Sequence, residues 1–163
     1  MDSYRLLVEL SRVVLLVAGL LRKWEITLLV LQNSMTTDLI CLLLLALWSI
    51  PLNHLPALAR GSDGGLAWAA SNREETIEGP PWVGRADRAQ RNHHDNLAMI
   101  AAVILIAQVT GQADGVTAMA VIAVLAFRVL HSVAYIAGIA VVRSLAYFGS
   151  IVGLSVVVWR ILT

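Results

Sequence analysis

A helix needs about 20 mostly apolar residues to cross the roughly 30 Å hydrocarbon core of a bilayer, where no water is present to satisfy its backbone N–H and C=O groups. Residues 35–58, 116–138 and 141–162 of this chain meet that length. A fourth apolar run, "LAMIAAVILIAQV" at 97–109, is too short alone and reaches spanning length only if its helix starts in the polar stretch near Arg85. Four such helices predict an all-α integral membrane protein. The composition fits: 58% of the 163 residues are hydrophobic and 14% are charged, against roughly 25% charged in a soluble domain.

Residues 62–81, "SDGGLAWAASNREETIEGPP", combine glycines, charges and a double proline and read as the one long connection. The other two links, "TGQADG" at 110–115 and "AGIAV" at 137–141, are short, so consecutive helices are expected to be antiparallel neighbours in a four-helix transmembrane bundle. Arg60, Arg73, Arg85, Arg88 and Arg91 fall on the long-loop side, whereas 110–115 carries no Lys or Arg. The positive-inside rule therefore puts the long loop in the cytoplasm. Residues 1–34 stand apart as an N-terminal extension to the membrane domain at 35–163. There Arg5 and Arg12 precede "VVLLVAGLL", which Arg22, Lys23 and Glu25 end before it can span. An interfacial amphipathic helix is expected, with a start at Met35 as the alternative. The net charge of +1, with no basic run interleaved with aromatics, argues against nucleic-acid binding. The single Cys41 excludes an intrachain disulfide and a thiolate zinc cluster.

A charged side chain at mid-helix costs roughly 2.5–3.5 kcal/mol on insertion, so intramembrane charges need a partner or a water-filled cavity. This chain has several. In "RAQRNHHDNL" at 88–97, Arg88 and Asp95 lie about 20° apart on a helix turning about 100° per residue, with Arg91 and Asn92 beside them. Arg128, His131 and Tyr135 share one face of the third helix. Arg143, Ser144 and Tyr147 occupy the first two turns of the fourth. Antiparallel threading brings all three stripes to one membrane depth, which predicts a cationic, hydrogen-bonding pocket near the cytoplasmic surface for a small polyanionic ligand. Snorkelling would explain each arginine singly, but it does not require three matched helical faces.

His93 and His94 are adjacent, whereas a helical metal site needs ligands three or four residues apart, and neither has a His, Cys, Asp or Glu at those offsets. No metal is expected, and both histidines read as solvated or headgroup-facing. "GSIVG" at 149–153 is a GxxxG pattern, which lets helix backbones approach closely and speaks for packing rather than chemistry.

"GRADRAQRNHHDNL", followed by "FRVLHSVAYIAGIAVVRSLAYF", resembles the MAPEG family, the membrane-associated proteins of eicosanoid and glutathione metabolism. The likeness covers residues 35–163, including "LAWAASNREE", and is closest to the bacterial members and to the microsomal prostaglandin E synthases and glutathione transferases. It implies a homotrimer in a bacterial inner membrane, with glutathione bound as cosubstrate between subunits near the cytoplasmic face. Carried over position by position, Arg88, Arg91, Asn92 and Asp95 would hold the peptide, with the acid on its α-amine, and His131, Tyr135 and Tyr147 would add contacts. Arg143 is similar to the arginine facing the glutathione sulfur, with Ser144 beside it. Asp95 stands where most members have glutamate, one methylene longer. Some members also place an arginine from the first helix against the ligand, where this chain offers Asn53 and His54 and has its first arginine of that helix at Arg60.

The chemistry of glutathione suits this set: guanidinium forks match its two carboxylates and one acid matches its ammonium. A thiol of pKa about 8.5 is only a few per cent ionised at pH 7, and an arginine, a hydroxyl and a helix N-terminus can lower it by roughly one to two units. The expected function is a glutathione-dependent transferase or peroxidase acting on a lipophilic electrophile. The alternative is a noncatalytic lipid- or ligand-binding membrane scaffold. A small transporter subunit is a third reading; it requires discontinuous helices, and only Pro51 and Pro56 hint at one.

Overall fold

The computed structural model describes residues 35–163 except 73, 75 and 76, together with Gly19. The readings of residues 1–34 and of Arg73 lie outside the described residues. The unit Thr36–Thr163 contains four helices in chain order: α1 (Thr37–Ala69), α2 (Pro81–Val109), α3 (Gly115–Ala137) and α4 (Ala140–Leu162). α1, α3 and α4 are each long and apolar enough to cross a membrane. α2, at 29 residues, has the length too, but its first half carries the charges.

Local chemistry sets most of the helix ends. Thr36 caps α1, its hydroxyl accepting from Leu39 N–H at 3.4 Å. Pro81 opens α2, where its missing N–H would have had no partner in any case. Asp114 caps α3 through the N–H groups of Val116 (2.8 Å) and Thr117 (3.0 Å), and the Thr117 hydroxyl accepts in return from Asp114 N–H. α3 ends at Gly138, whose φ of 82° suits glycine.

Two boundaries differ from expectation. The long connection is shorter than 62–81, because α1 continues to Ala69 and only the non-helical Gly65 (φ 74°) interrupts it near that end. Ser62 holds the added turn by donating to the Ala59 carbonyl at 2.7 Å. α2 begins at Pro81 rather than near Arg85. α1 passes through Pro51 and Pro56 without a break, so the hint of a midplane discontinuity is not realised.

Contacts between helix ends define the threading. The start of α1 meets the end of α2 (Thr36 hydroxyl to Gln108 Oε1, 2.9 Å) and the start of α3 (Thr117 hydroxyl to Asp38 Oδ2, 2.7 Å). The start of α3 meets the end of α4 through Arg160 and Asp114, 2.7 Å apart. Farther along α1, Gln90 donates to Asn53 at 2.7 Å, and Arg60 grips Asp87 with both η nitrogens. α2 and α3 each pack on all the other helices, whereas α1 and α4 do not pack on each other. The apolar core, built on Leu45, Ile104, Val121, Val124 and Val157, lies toward the end away from the charged half of α2. Within a bilayer such side chains hold the helices together by van der Waals packing rather than by removal from water. Along α4, Gly149 and Gly153 bring the helix close to Phe127 and Val124 of α3.

Candidate functional site

Two cavities flank the ends of the four-helix unit. The larger, about 340 Å³, is lined by Thr36, Asp38, Asp114 and their neighbours. Its carboxylates are already engaged, Asp38 by Thr117 and Asp114 by its helix cap and Arg160, so its chemistry is that of a clasp between helix ends.

The other cavity, about 130 Å³, lies where α2 faces the joint between α3 and α4. Arg85, Arg88 and Arg143 line it with Tyr135, Gly138, Ile139 and Ala140, and among the described residues no carboxylate does. The first N–H groups of α4 add positive potential, since no side chain caps that helix. Three guanidinium groups and a helix N-terminus suit an anion.

The joint itself aligns the aromatic and cationic groups. A two-residue link puts Tyr135 on one helix against Arg143 on the next, with the guanidinium 4.7 Å from the ring centre. His131, one turn earlier and buried, donates from Nδ1 to the Arg143 carbonyl at 2.9 Å. Its ring lies edge-on to Tyr135 (5.7 Å) and tilted against Tyr147 (5.9 Å). His131 Nε2 is buried with no hydrogen-bond partner among the described residues.

Arg128, on the third-helix stripe, does not face a pocket. It is fully buried and spends Nη1 on Asn92 Oδ1 (3.1 Å) and Nη2 on the Asn92 carbonyl (3.0 Å). Asn92 therefore offers a ligand its amide nitrogen alone. Arg88, Arg91 and Asp95 are exposed on one side of α2, and none makes a hydrogen bond or ion pair with another described residue. Ser144 donates to the Ala140 carbonyl at 3.0 Å, within its own helix.

The structure thus brings Arg88, Tyr135 and Arg143 around one cavity and ties His131 and Tyr147 to it, while Arg91 and Asp95 point away from the chain and Ser144 is turned inward on α4. Sequence reasoning missed two residues. Arg85, treated only as a topology marker, lines the cavity and donates from Nε to the Ile136 carbonyl at 2.8 Å. His93 is buried, its Nε2 at 3.0 Å from the Leu45 carbonyl, so only His94 is exposed and the joint reading of the pair is corrected. The signal for His93 was the spacing of the buried stripe Val83, Ala86, Ala89, His93, Ile100, Ile104 and Ala107, which is helical throughout.

No curated protein matches the chain. The sequence profile of the MAPEG family matches residues 38–163, from the first turn of α1 to the last residue. By that match, and as a membrane protein of four helices, the chain belongs to the MAPEG family.

Proposed function

We propose that this protein is a glutathione-dependent membrane transferase or peroxidase that acts on a lipophilic electrophile through a glutathione thiolate held by Arg143. The family includes glutathione transferases and related proteins. In this reading antiparallel four-helix subunits form a homotrimer, with the ligand between neighbours and facing the cytoplasm of a bacterial inner membrane.

One observation carries the proposal: the uncovered charges of α2. At 1.5 Å per residue, Asp95 lies about 21 Å from Val109, the other end of the helix. With that end at the far surface of a hydrocarbon layer about 30 Å thick, Asp95 is well inside it. A lone charge facing lipid there costs roughly 2.5–3.5 kcal/mol. A neighbouring subunit and a ligand of opposite charges remove that cost. Glutathione fits, because Arg88 and Arg91 match its carboxylates, Asp95 its ammonium, and Asn92 Nδ2 a peptide carbonyl. His131, Tyr135 and Tyr147 form the aromatic wall behind it.

Arg143 then sits where a thiol at the cavity would be turned into its anion. In conjugation the thiol proton passes to water and the sulfur electron pair forms the new bond to the electrophilic carbon. The pair of the bond broken at that carbon departs with the displaced group or, in an addition, moves to the neighbouring atom and takes up a proton. An apolar groove of about 280 Å³ between α2 and α4, lined by Met99, Val103, Ile151, Leu154, Ser155 and Val158, is in keeping with a lipophilic second substrate.

The engaged state of two groups favours a second reading, a noncatalytic binding scaffold: the Ser144 hydroxyl is committed to Ala140, and Arg143 rests on Tyr135. Thiolate ultraviolet absorbance separates the two. Detergent-purified protein titrated with glutathione should show a thiolate midpoint roughly one to two units below the free thiol, and Arg143→Ala should abolish the shift while glutathione still raises the melting temperature. Binding without a thiolate signal in the wild-type protein would hand the site to the scaffold reading.

A further inference from the structure

The α3–α4 joint is two residues long, yet it sets the contact of Tyr135 with Arg143. The Gly138 N–H donates to the Tyr135 carbonyl (3.1 Å) and the Ile139 N–H to the Ala134 carbonyl (2.9 Å), a Schellman closure of α3. That closure leaves the Ile136 carbonyl unserved. Arg85, arriving from α2, supplies the donor through Nε at 2.8 Å. The same side chain lies flat against the left-handed Gly138: a Cβ there would stand 3.4 Å from Arg85 Nε and 3.5 Å from Cζ. On the far side of the joint, α4 begins with no side-chain cap. Arg85 is thus the clamp that α2 places on the turn from which Arg143 is hung.

We propose that Arg85 is a positioning residue: by clamping the Ile136–Gly138 turn from α2 it fixes Arg143 at the cavity in the geometry that stabilises an anion. This rests on the thiolate reading above for its functional consequence, though not for the clamp itself. A side-on guanidinium Nε–H is needed. Lysine keeps the charge but has no such donor and lacks the flat face that lies on Gly138.

The test compares wild type, Arg85→Lys and Gly138→Ala in the full-length protein by two readouts. Without ligand, hydrogen exchange of the bonded amides of Gly138, Ile139 and Arg143 should rise at least about tenfold in both variants, with the core of α3 around Val121 and Val124 unchanged. With glutathione, the thiolate midpoint should rise by about one unit in both, equivalent to a tenfold loss of thiolate. The variants leave every charge at the cavity in place, so an electrostatic role alone would leave the midpoint at its wild-type value. A wild-type midpoint or wild-type exchange in Arg85→Lys overturns the proposal. If the wild-type protein itself gives no thiolate signal, the catalytic reading falls and the exchange measurement alone decides whether the clamp exists. Should Gly138→Ala fail to fold, Arg85→Lys decides both readouts.

Discussion

Asp114 illustrates how much one side chain carries at the end opposite the candidate site. Its Oδ1 accepts the Val116 and Thr117 N–H groups that open α3, and its Oδ2 accepts Arg160 Nε from the last turn of α4. The Thr117 backbone N–H, then Arg160, hold its carboxyl below the ordinary value of 3.8. The sign follows from linkage: a carboxyl whose folded value is depressed contributes stability above its unfolded value, and that contribution is lost as pH falls through the folded one. The melting temperature of the detergent-solubilised protein should therefore hold steady as pH drops to about 5 and decline below about 4. Asp114→Asn should be less stable at neutral pH and lose that part of the acid-side decline. An identical acid profile in the variant would show that other carboxylates govern it. Arg128 is the contrasting case. Fully buried and bound twice by Asn92, it works as a strut between α2 and α3, which its place on a polar stripe did not reveal.

At the scale of the helices, the GxxxG of α4 makes two unequal contacts. A Cβ at Gly149 would meet the Phe127 ring at 2.8 Å, the far end of a half-buried side chain that can swing aside about χ1. At Gly153 it would meet Val124 Cγ2 at 2.9 Å and the Ala120 carbonyl at 3.1 Å, a buried branched side chain and a backbone atom that cannot move aside. Gly153→Ala should accordingly destabilise the protein by about 1–3 kcal/mol through overpacking, and Gly149→Ala by less, as read from denaturation in detergent. Equal losses would contradict the difference in rigidity. This close packing was legible in the sequence, as were the apolar spans of α1, α3 and α4, because hydropathy and small-residue spacing are local signals. The first turn of α2, residues 81–84, was not, since its double proline and glycine look like loop until the buried Val83 is seen against the rest of the unit. The final turns of α1 were hidden for a similar reason: "SDGG" has loop chemistry, and the helix bends only at Gly65. Of the candidate site, the convergence of Arg88, Tyr135 and Arg143 on one cavity was legible in the sequence, but Arg85 was not, because its partner is a backbone carbonyl 51 positions away.

For the molecule as a whole, the apolar exposed faces and the charged stripe of α2 pose different problems. Leu43, Leu47, Ile50, Val141, Leu145 and Phe148 are exposed and apolar, as lipid or a neighbouring subunit requires. Arg88, Arg91 and Asp95 tolerate neither lipid nor a dry apolar neighbour. In the proposed trimer each copy's stripe is closed by the next copy and by glutathione, with Asp95 turned to the ligand. Asp95 tests this most sharply. It is the acid left for the ammonium, since Asp87 on the same helix is held by Arg60. Asp95→Ala should keep the trimer on chemical crosslinking but weaken glutathione binding by about ten- to a hundredfold, the loss of one charge-assisted contact worth about 1.5–3 kcal/mol. Asp95→Glu lengthens the reach by one methylene and should bind more weakly than wild type if the aspartate contacts the amine directly, because the longer side chain overshoots. If that contact passes through a water, the extra methylene carries the carboxylate to the amine in the water's place and binding holds or tightens instead. A dose series of melting temperature against glutathione concentration reads all three proteins. Unchanged binding in Asp95→Ala would remove this residue from the ligand and leave its place on α2 to subunit contacts alone.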